Sequence, residues 1–185
     1  MRHPANELGD TRSGLFFALA AYGIWGIAPI YFVWVSFAQP LEVVAHRVVW
    51  GIPLLGLLLL ASGQWRSIKS LAPSAFGYLL VSALCLSINW LTFIYAVQTE
   101  RIAEASLGYF INPLVSIVLG WLFLREQLRP LQWLAVALAL VGVCSELWVR
   151  TNLPWLGLTL ALSFGLYGLL RKQVNVGAVV GLSIE

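Results

Sequence analysis

The chain has 185 residues, of which 60% are hydrophobic and only 10% charged, with a mean hydropathy of +0.85. A water-soluble domain carries about 25% charged residues, so this chain lacks the surface needed to face water on all sides. Its net charge of +3 comes from residues spread over connecting segments. No basic face with stacking rings gathers them, which excludes a nucleic-acid binder.

The polar N-terminal stretch, with its mixed charges, is unlike a signal peptide. The apolar run after it is too long for a signal core and has no small-residue cleavage site, so the first helix is expected to stay in the mature protein. Crossing the hydrocarbon core takes about 17–25 apolar residues. By that measure six spans follow one another at 14–35, 42–61, 74–97, 105–124, 131–149 and 153–170. Breaker residues punctuate them: Gln39-Pro40, Ser62-Gly63, Ala72-Pro73, Arg129-Pro130 and Asn152-Leu153-Pro154. The tail 173–185 turns apolar again and reads as the start of a seventh span. The fold class is therefore an all-α, polytopic membrane bundle.

Basic residues orient the bundle. Arg2, Arg12, Arg66, Lys69, Arg125, Arg129, Arg171 and Lys172 fall on one side, and only Arg101 and Arg150 on the other. The positive-inside bias places the N-terminus in the cytoplasm. An internal similarity joins the first and sixth spans: 18–26 (ALAAYGIWG) matches 161–168 (ALSFGLYG) with one residue deleted. Each is followed by a carboxylate, Glu42 and Glu185. Five spans separate the copies, and an odd number inverts the second, which is the arithmetic of an inverted-topology repeat.

No nucleophile elbow, zinc helix, phosphate loop or dinucleotide turn is present. Cys85 and Cys144 stand alone inside apolar runs and read as small hydrophobes, so no metal site and no cofactor are expected. What remains is polar groups within spans, which normally face a bundle interior or a watery cavity. With about 1.5 Å of rise per residue, His46 and Arg47 lie roughly 6–8 Å below the outer edge of the second span. Asn89 lies about 12 Å down the third, Tyr109 and Asn112 about 6–11 Å down the fourth, and Glu146 about 5 Å down the fifth. Four helices thus contribute to one outer layer, which suggests a cavity able to open outward. Arg47 is the hardest of these to explain as packing, and Glu146 or Asn112 are its expected partners. Glu42, Glu104 and Glu146 also fit a bland role at helix ends, His46 a packing role, and Asn89 and Asn112 a role as interhelical glue. Pro113 is expected to break the fourth span, and Pro29 and Pro53 to kink the first two. Ser116–Gly120 and Ala161–Gly165 have the small-residue spacing of close helix packing.

The residues of 42–50 (EVVAHRVVW), Asn89-Trp90, 104–114 (EASLGYFINPL), 125–128 (REQL) and Gln132-Trp133 together resemble the RarD-type branch of the EamA family in the drug/metabolite transporter superfamily. The resemblance implies ten helices in two inverted five-helix halves and a permease or exporter of small metabolites or drugs in the bacterial inner membrane. The expected organisation is a cytoplasmic segment 1–13, a first five-helix repeat 14–149 and a truncated second repeat 153–185. Under that reading the protein is no enzyme and works by alternating access. Arg47 grips an anionic group, Asn89, Tyr109 and Asn112 line the site, and Trp50 and Trp90 wall it. Glu42 and His46 are the proton-coupling candidates. Expected partners are a small metabolite, the lipid bilayer and a second copy of the chain. Two other classes compete: an integral-membrane enzyme acting on a lipid-linked substrate, and a structural membrane protein with no flux.

Overall fold

A computed structural model describes residues 4–149 and 153–185, with side chains from Gly14 onward apart from those of Leu147 and Val149. Arg2, Arg150 and the side chain of Arg12, all used in the charge count above, lie outside the described residues. Among the described residues there are eight helices: α1 Pro4–Trp34, α2 Pro40–Ala61, α3 Trp65–Lys69, α4 Pro73–Gln98, α5 Ile102–Leu124, α6 Pro130–Val149, α7 Trp155–Lys172 and α8 Ala178–Leu182. Three of the breaker prolines are helix starts, and Pro154 caps α7. Pro40, Pro73 and Pro130 each occupy a first position, where the missing N–H has no intrahelical partner to lose and φ is already set. Gly63, at φ +66°, ends α2 in the left-handed conformation that glycine adopts without penalty.

Among the described residues, four helices are long and apolar enough to cross a membrane: Gly14–Trp34 of α1, then α2, α4 and α5. The α6 helix adds a shorter apolar stretch, Pro130–Glu146. The sixth expected span, α7, is 18 residues long and carries Arg171 and Lys172 in its last turn. It packs along both α4 and α5, so its neighbours are mostly helix. Two features were not foreseen. The α1 helix begins at Pro4, well before the apolar run, and α3 forms a single turn inside the connector between α2 and α4.

Residues Met1–Phe37 form one compact unit and Ala38–Glu185 another. In the first, Tyr22 and Trp25 meet edge to face at 5.6 Å between ring centroids. The second has its tightest seam between α5 and α7. A Cβ on Gly108 would stand 2.7 Å from the Gly157 carbonyl oxygen, and one on Gly157 would stand 2.9 Å from the Glu104 carbonyl oxygen. Two turns along α7, a Cβ on Gly165 would meet Val115 at 2.7 Å. Gly157, Ala161 and Gly165 therefore form a stripe at four-residue spacing that lets the backbones close up, as small residues do in membranes. Leu107, Ile111 and Leu114 of α5, Val143 of α6 and Ala161 make the apolar cluster around it.

The Ala161–Gly165 pair thus packs as its spacing suggests, while Ser116 is exposed and donates to Asn112 Oδ1 at 3.4 Å. Nor does Pro113 break its helix: α5 runs unbroken from Ile102 to Leu124 with Pro113 inside it. Proline removes one hydrogen bond and deprives the Tyr109 carbonyl of its intrahelical donor, a loss the rest of a 23-residue helix absorbs. Much apolar surface faces outward, including Leu131 at 80% exposed and Trp148 at 91%. Such a surface is stable against lipid or further helices and unstable against water.

Candidate functional site

Three levels of polar contact pin α7 within the second unit. At its start, Glu104 Oε1 accepts from the Leu156 N–H at 3.0 Å, filling one of the donors a helix leaves open at its N-terminus. The other carboxylate oxygen takes the Arg101 guanidinium through Nε and Nη2, and that guanidinium sits 5.2 Å from the Trp155 ring. Halfway along, Asn89 Nδ2 on α4 donates to the Leu160 carbonyl and to Ser163 Oγ, both at 3.0 Å. At its end, Arg171 pairs with Glu185 at 3.6 Å, and Lys172 reaches Glu126 at 2.9 Å.

The upper layer of α2, α4 and α5 holds the residues singled out from sequence. The guanidinium carbon of Arg47 lies over the Trp90 ring, 3.5 Å from its centroid, a close cation–π geometry. Trp90 meets Phe93 edge to face at 6.3 Å, and Phe93 meets Tyr109 in the same manner at 6.2 Å. A guanidinium on α2 is thereby joined to a phenol on α5 through two rings on α4, each pair at the spacing and tilt that favour aromatic contact. Phe93 was missed in the sequence because a phenylalanine in an apolar run carries no polar signal. Its place three residues after Trp90, on the same helix face, was the available clue.

The other expected site residues are placed as follows. Asn89 is turned to α7, with the geometry of interhelical glue. Asn112 stays on α5 and accepts from Ser116. Trp50 is 71% exposed and stands outside the ring series. Glu42 Oε2 accepts from the Gln39 N–H at 2.9 Å, the contact of a carboxylate closing the first turn of α2, and His46 is exposed on the same helix. Two cavities lie at the opposite end of the unit. One of about 540 Å³ is lined by Trp121, Arg125, Glu126 and Trp133 among others. The second, of about 410 Å³, lies between the α3 region and the segment after α7, with Gln64, Ala75, Asn175 and Val180 in its wall. Among the described residues, no group of His, Cys, Asp and Glu gathers as a metal site would require.

The family model described as "EamA-like transporter family" matches residues 12–145, most of the chain. The chain belongs to the EamA-like transporter family. It is 49% identical over 178 residues to "Protein RarD" of Escherichia coli strain K12, an alignment covering 95% of this chain and 60% of that protein. A protein of Vibrio cholerae named "Uncharacterized transporter" is 47% identical over 178 residues, covering 95% of this chain and 59% of the relative. "Chloramphenicol-sensitive protein RarD" of Pseudomonas aeruginosa is 36% identical, at 93% and 60% coverage. The chain thus spans about 60% of the length of these curated relatives. No solved structure matches it. An EamA chain with RarD relatives and four apolar helices of membrane length is a multi-pass protein of the bacterial inner membrane.

Proposed function

We propose that the chain forms the first five-helix half of an inverted-repeat EamA transporter together with α7, the first helix of the second half, and that the intact protein moves a small amphipathic anion by alternating access. The observation that carries this reading is Arg47 stacked on Trp90 at 3.5 Å, within an apolar helix of membrane length. A cation at that depth is costly, and packing alone would be served by an apolar residue. The ring face fixes the plane of the guanidinium, so its in-plane N–H groups are oriented to grip a carboxylate or phosphate in two places. Trp90, Phe93 and Tyr109 then provide the apolar wall for the rest of the ligand, a few placed polar groups among aromatic side chains being the usual make-up of such sites.

In the same reading the Arg47 end faces outward and the basic end carrying Arg66, Lys69, Arg125 and Arg129 faces the cytoplasm. His46 and Glu42 remain the candidate proton-handling groups at the outer end, with Asn89 holding the α4 wall against α7. The relatives' names speak of transporters, which favours a carrier over a lipid-acting enzyme. Expressing the protein at its relatives' length and measuring transport per inserted molecule tests the role of Arg47. Arg47→Lys keeps the charge and loses the planar fork, so it is expected to impair transport nearly as much as Arg47→Ala. Wild-type flux from Arg47→Ala would remove Arg47 from the site.

A further inference from the structure

The larger cavity, of about 540 Å³, lies where α5 hands over to α6, away from the Arg47 layer. Trp121 and Leu122 enter its wall from the last turn of α5, Arg125 and Glu126 from the connector, and Trp133 from the first turn of α6. Tryptophans at the ends of membrane helices sit at the level of the lipid headgroups. The charges in this wall do not cancel. Glu126 is engaged elsewhere: its Oε1 accepts from Lys172 Nζ of α7 at 2.9 Å. Its Oε2 lies so close over Gly120 that a Cβ there would stand 2.7 Å away. Lys172 balances that carboxylate, which leaves the Arg125 guanidinium as the net charge of the wall.

The backbone at Arg125 is the second observation. It stands at φ +54° as the left-handed residue that closes α5, its N–H returning to the Gly120 carbonyl. Glycine fills such a position without steric penalty, and an L side chain does not. Ending the helix would be served better by glycine, and strained backbone of this kind gathers where side chains hold ligands. Deeper along both helices the surface turns apolar. One turn from Leu122 stands Val118, and two turns from Trp133 stands Leu140, each more than half exposed and on the same helix face as its partner at the cavity.

We propose that this cavity holds the headgroup of an anionic phospholipid from the leaflet around this end of the bundle. Arg125 grips the phosphate diester in two places, as the planar fork of a guanidinium allows. Trp121 and Trp133 flank the glycerol, their indole N–H groups being donors for its ester oxygens, and the acyl chains run along Val118 and Leu140. One negative charge on the diester balances the one positive charge of the wall, and basic pockets between helices at this level suit anionic headgroups. A soluble anion would satisfy the same guanidinium but would leave the apolar rows below it uncovered. A diester that carries acyl chains covers both, which favours the lipid. The inference is independent of the transported solute and of the direction of flux.

Native mass spectrometry of the protein at its relatives' length, released from detergent after titration with phosphatidylglycerol or with phosphatidylcholine, tests the site. The wild type should retain phosphatidylglycerol severalfold better than phosphatidylcholine. Arg125→Gly should bring that retention down to the phosphatidylcholine level, while insertion is kept and the unfolding midpoint is unchanged or raised, because glycine relieves the backbone. Where Arg125→Gly fails to insert, Arg125→Gln carries the same comparison with the side-chain bulk retained. Inorganic phosphate added at constant ionic strength should not displace the lipid. Equal retention of the two lipids by the wild type would mean unselective lipid contact, and displacement by inorganic phosphate would mean a site for a soluble anion. Retention by the 185-residue chain that is lost at the relatives' length would mean that the rest of the protein fills the cavity. Each of these, or phosphatidylglycerol retention unchanged in Arg125→Gly, would overturn the assignment.

Discussion

Replacing Gly108 by alanine puts one methyl group into the tightest place of the α5–α7 seam. Its Cβ would lie 2.7 Å from the Gly157 carbonyl oxygen and 3.1 Å from both Gly157 Cα and Leu160 Cβ, where ordinary contact begins at 3.4 Å. All three neighbours are backbone or the base of a side chain, so none can swing aside. The seam must open by several tenths of an ångström, and a gap of about 0.5–1 Å forfeits a quarter to a half of each van der Waals contact it spans, at about 0.1–0.2 kcal/mol per atom pair. Spread over the contacts between two long helices, this gives about 1–3 kcal/mol, the usual cost of one methyl too many in a packed interior. Alanine also gains about 1 kcal/mol in helix propensity over glycine, so the comparison must cancel that term. Gly56 and Gly142 have nothing within 4 Å of an added Cβ. Reversible unfolding in mixed detergent–lipid micelles, followed by circular dichroism, should therefore place Gly108→Ala about 1–3 kcal/mol below Gly56→Ala and Gly142→Ala. Equal stability of the three variants would refute the reasoning, since it would mean that α5 and α7 do not approach at Gly108.

In the same unfolding assay, Asn89→Leu should lose about 0.6–1.7 kcal/mol, the range seen for interhelical hydrogen bonds in membranes; an unchanged midpoint would mean that the bonds to Leu160 and Ser163 do not form. Phe93→Ala, at the relatives' full length, should insert normally and weaken apparent substrate affinity, because it removes the ring between Trp90 and Tyr109, whereas unchanged affinity would take the ring series out of the binding surface. For topology, single cysteines in the 36–40 loop should react with an impermeant thiol reagent on intact cells and those in 64–70 should not. The reverse pattern would invert the orientation.

The long helices were legible because α2, α4 and α6 begin at a proline and α1, α2, α4 and α5 each hold an apolar run of membrane length. Where reading failed, the deciding contacts were long-range. The sixth span was read correctly as a helix, but that α7 is flanked by α4 and α5 is invisible in its own sequence. Gly108 and Gly157 carried no motif, since the close approach they permit depends on their meeting across two helices. The polar layer was found as a set of depths, and depth alone could not tell that Asn89 would turn to α7 while Arg47 lay over Trp90, nor that Phe93 would link Trp90 to Tyr109. Glu185 was noticed only as the counterpart of Glu42 in a repeat. Its pairing with Arg171 and Ser82 requires the chain to turn back after α7, which no local pattern announces.

The central claim is that this fold, completed to the length of its relatives, moves a small anionic solute through a site that includes Arg47. It is tested most directly by metabolite profiling of the medium and cytoplasm of cells producing the full-length protein, its Arg47→Ala variant or neither, with insertion of both proteins verified. A small amphipathic anion should be redistributed across the membrane only by the protein that keeps Arg47. Profiles identical in all three strains, or an equal redistribution by Arg47→Ala, would contradict the account.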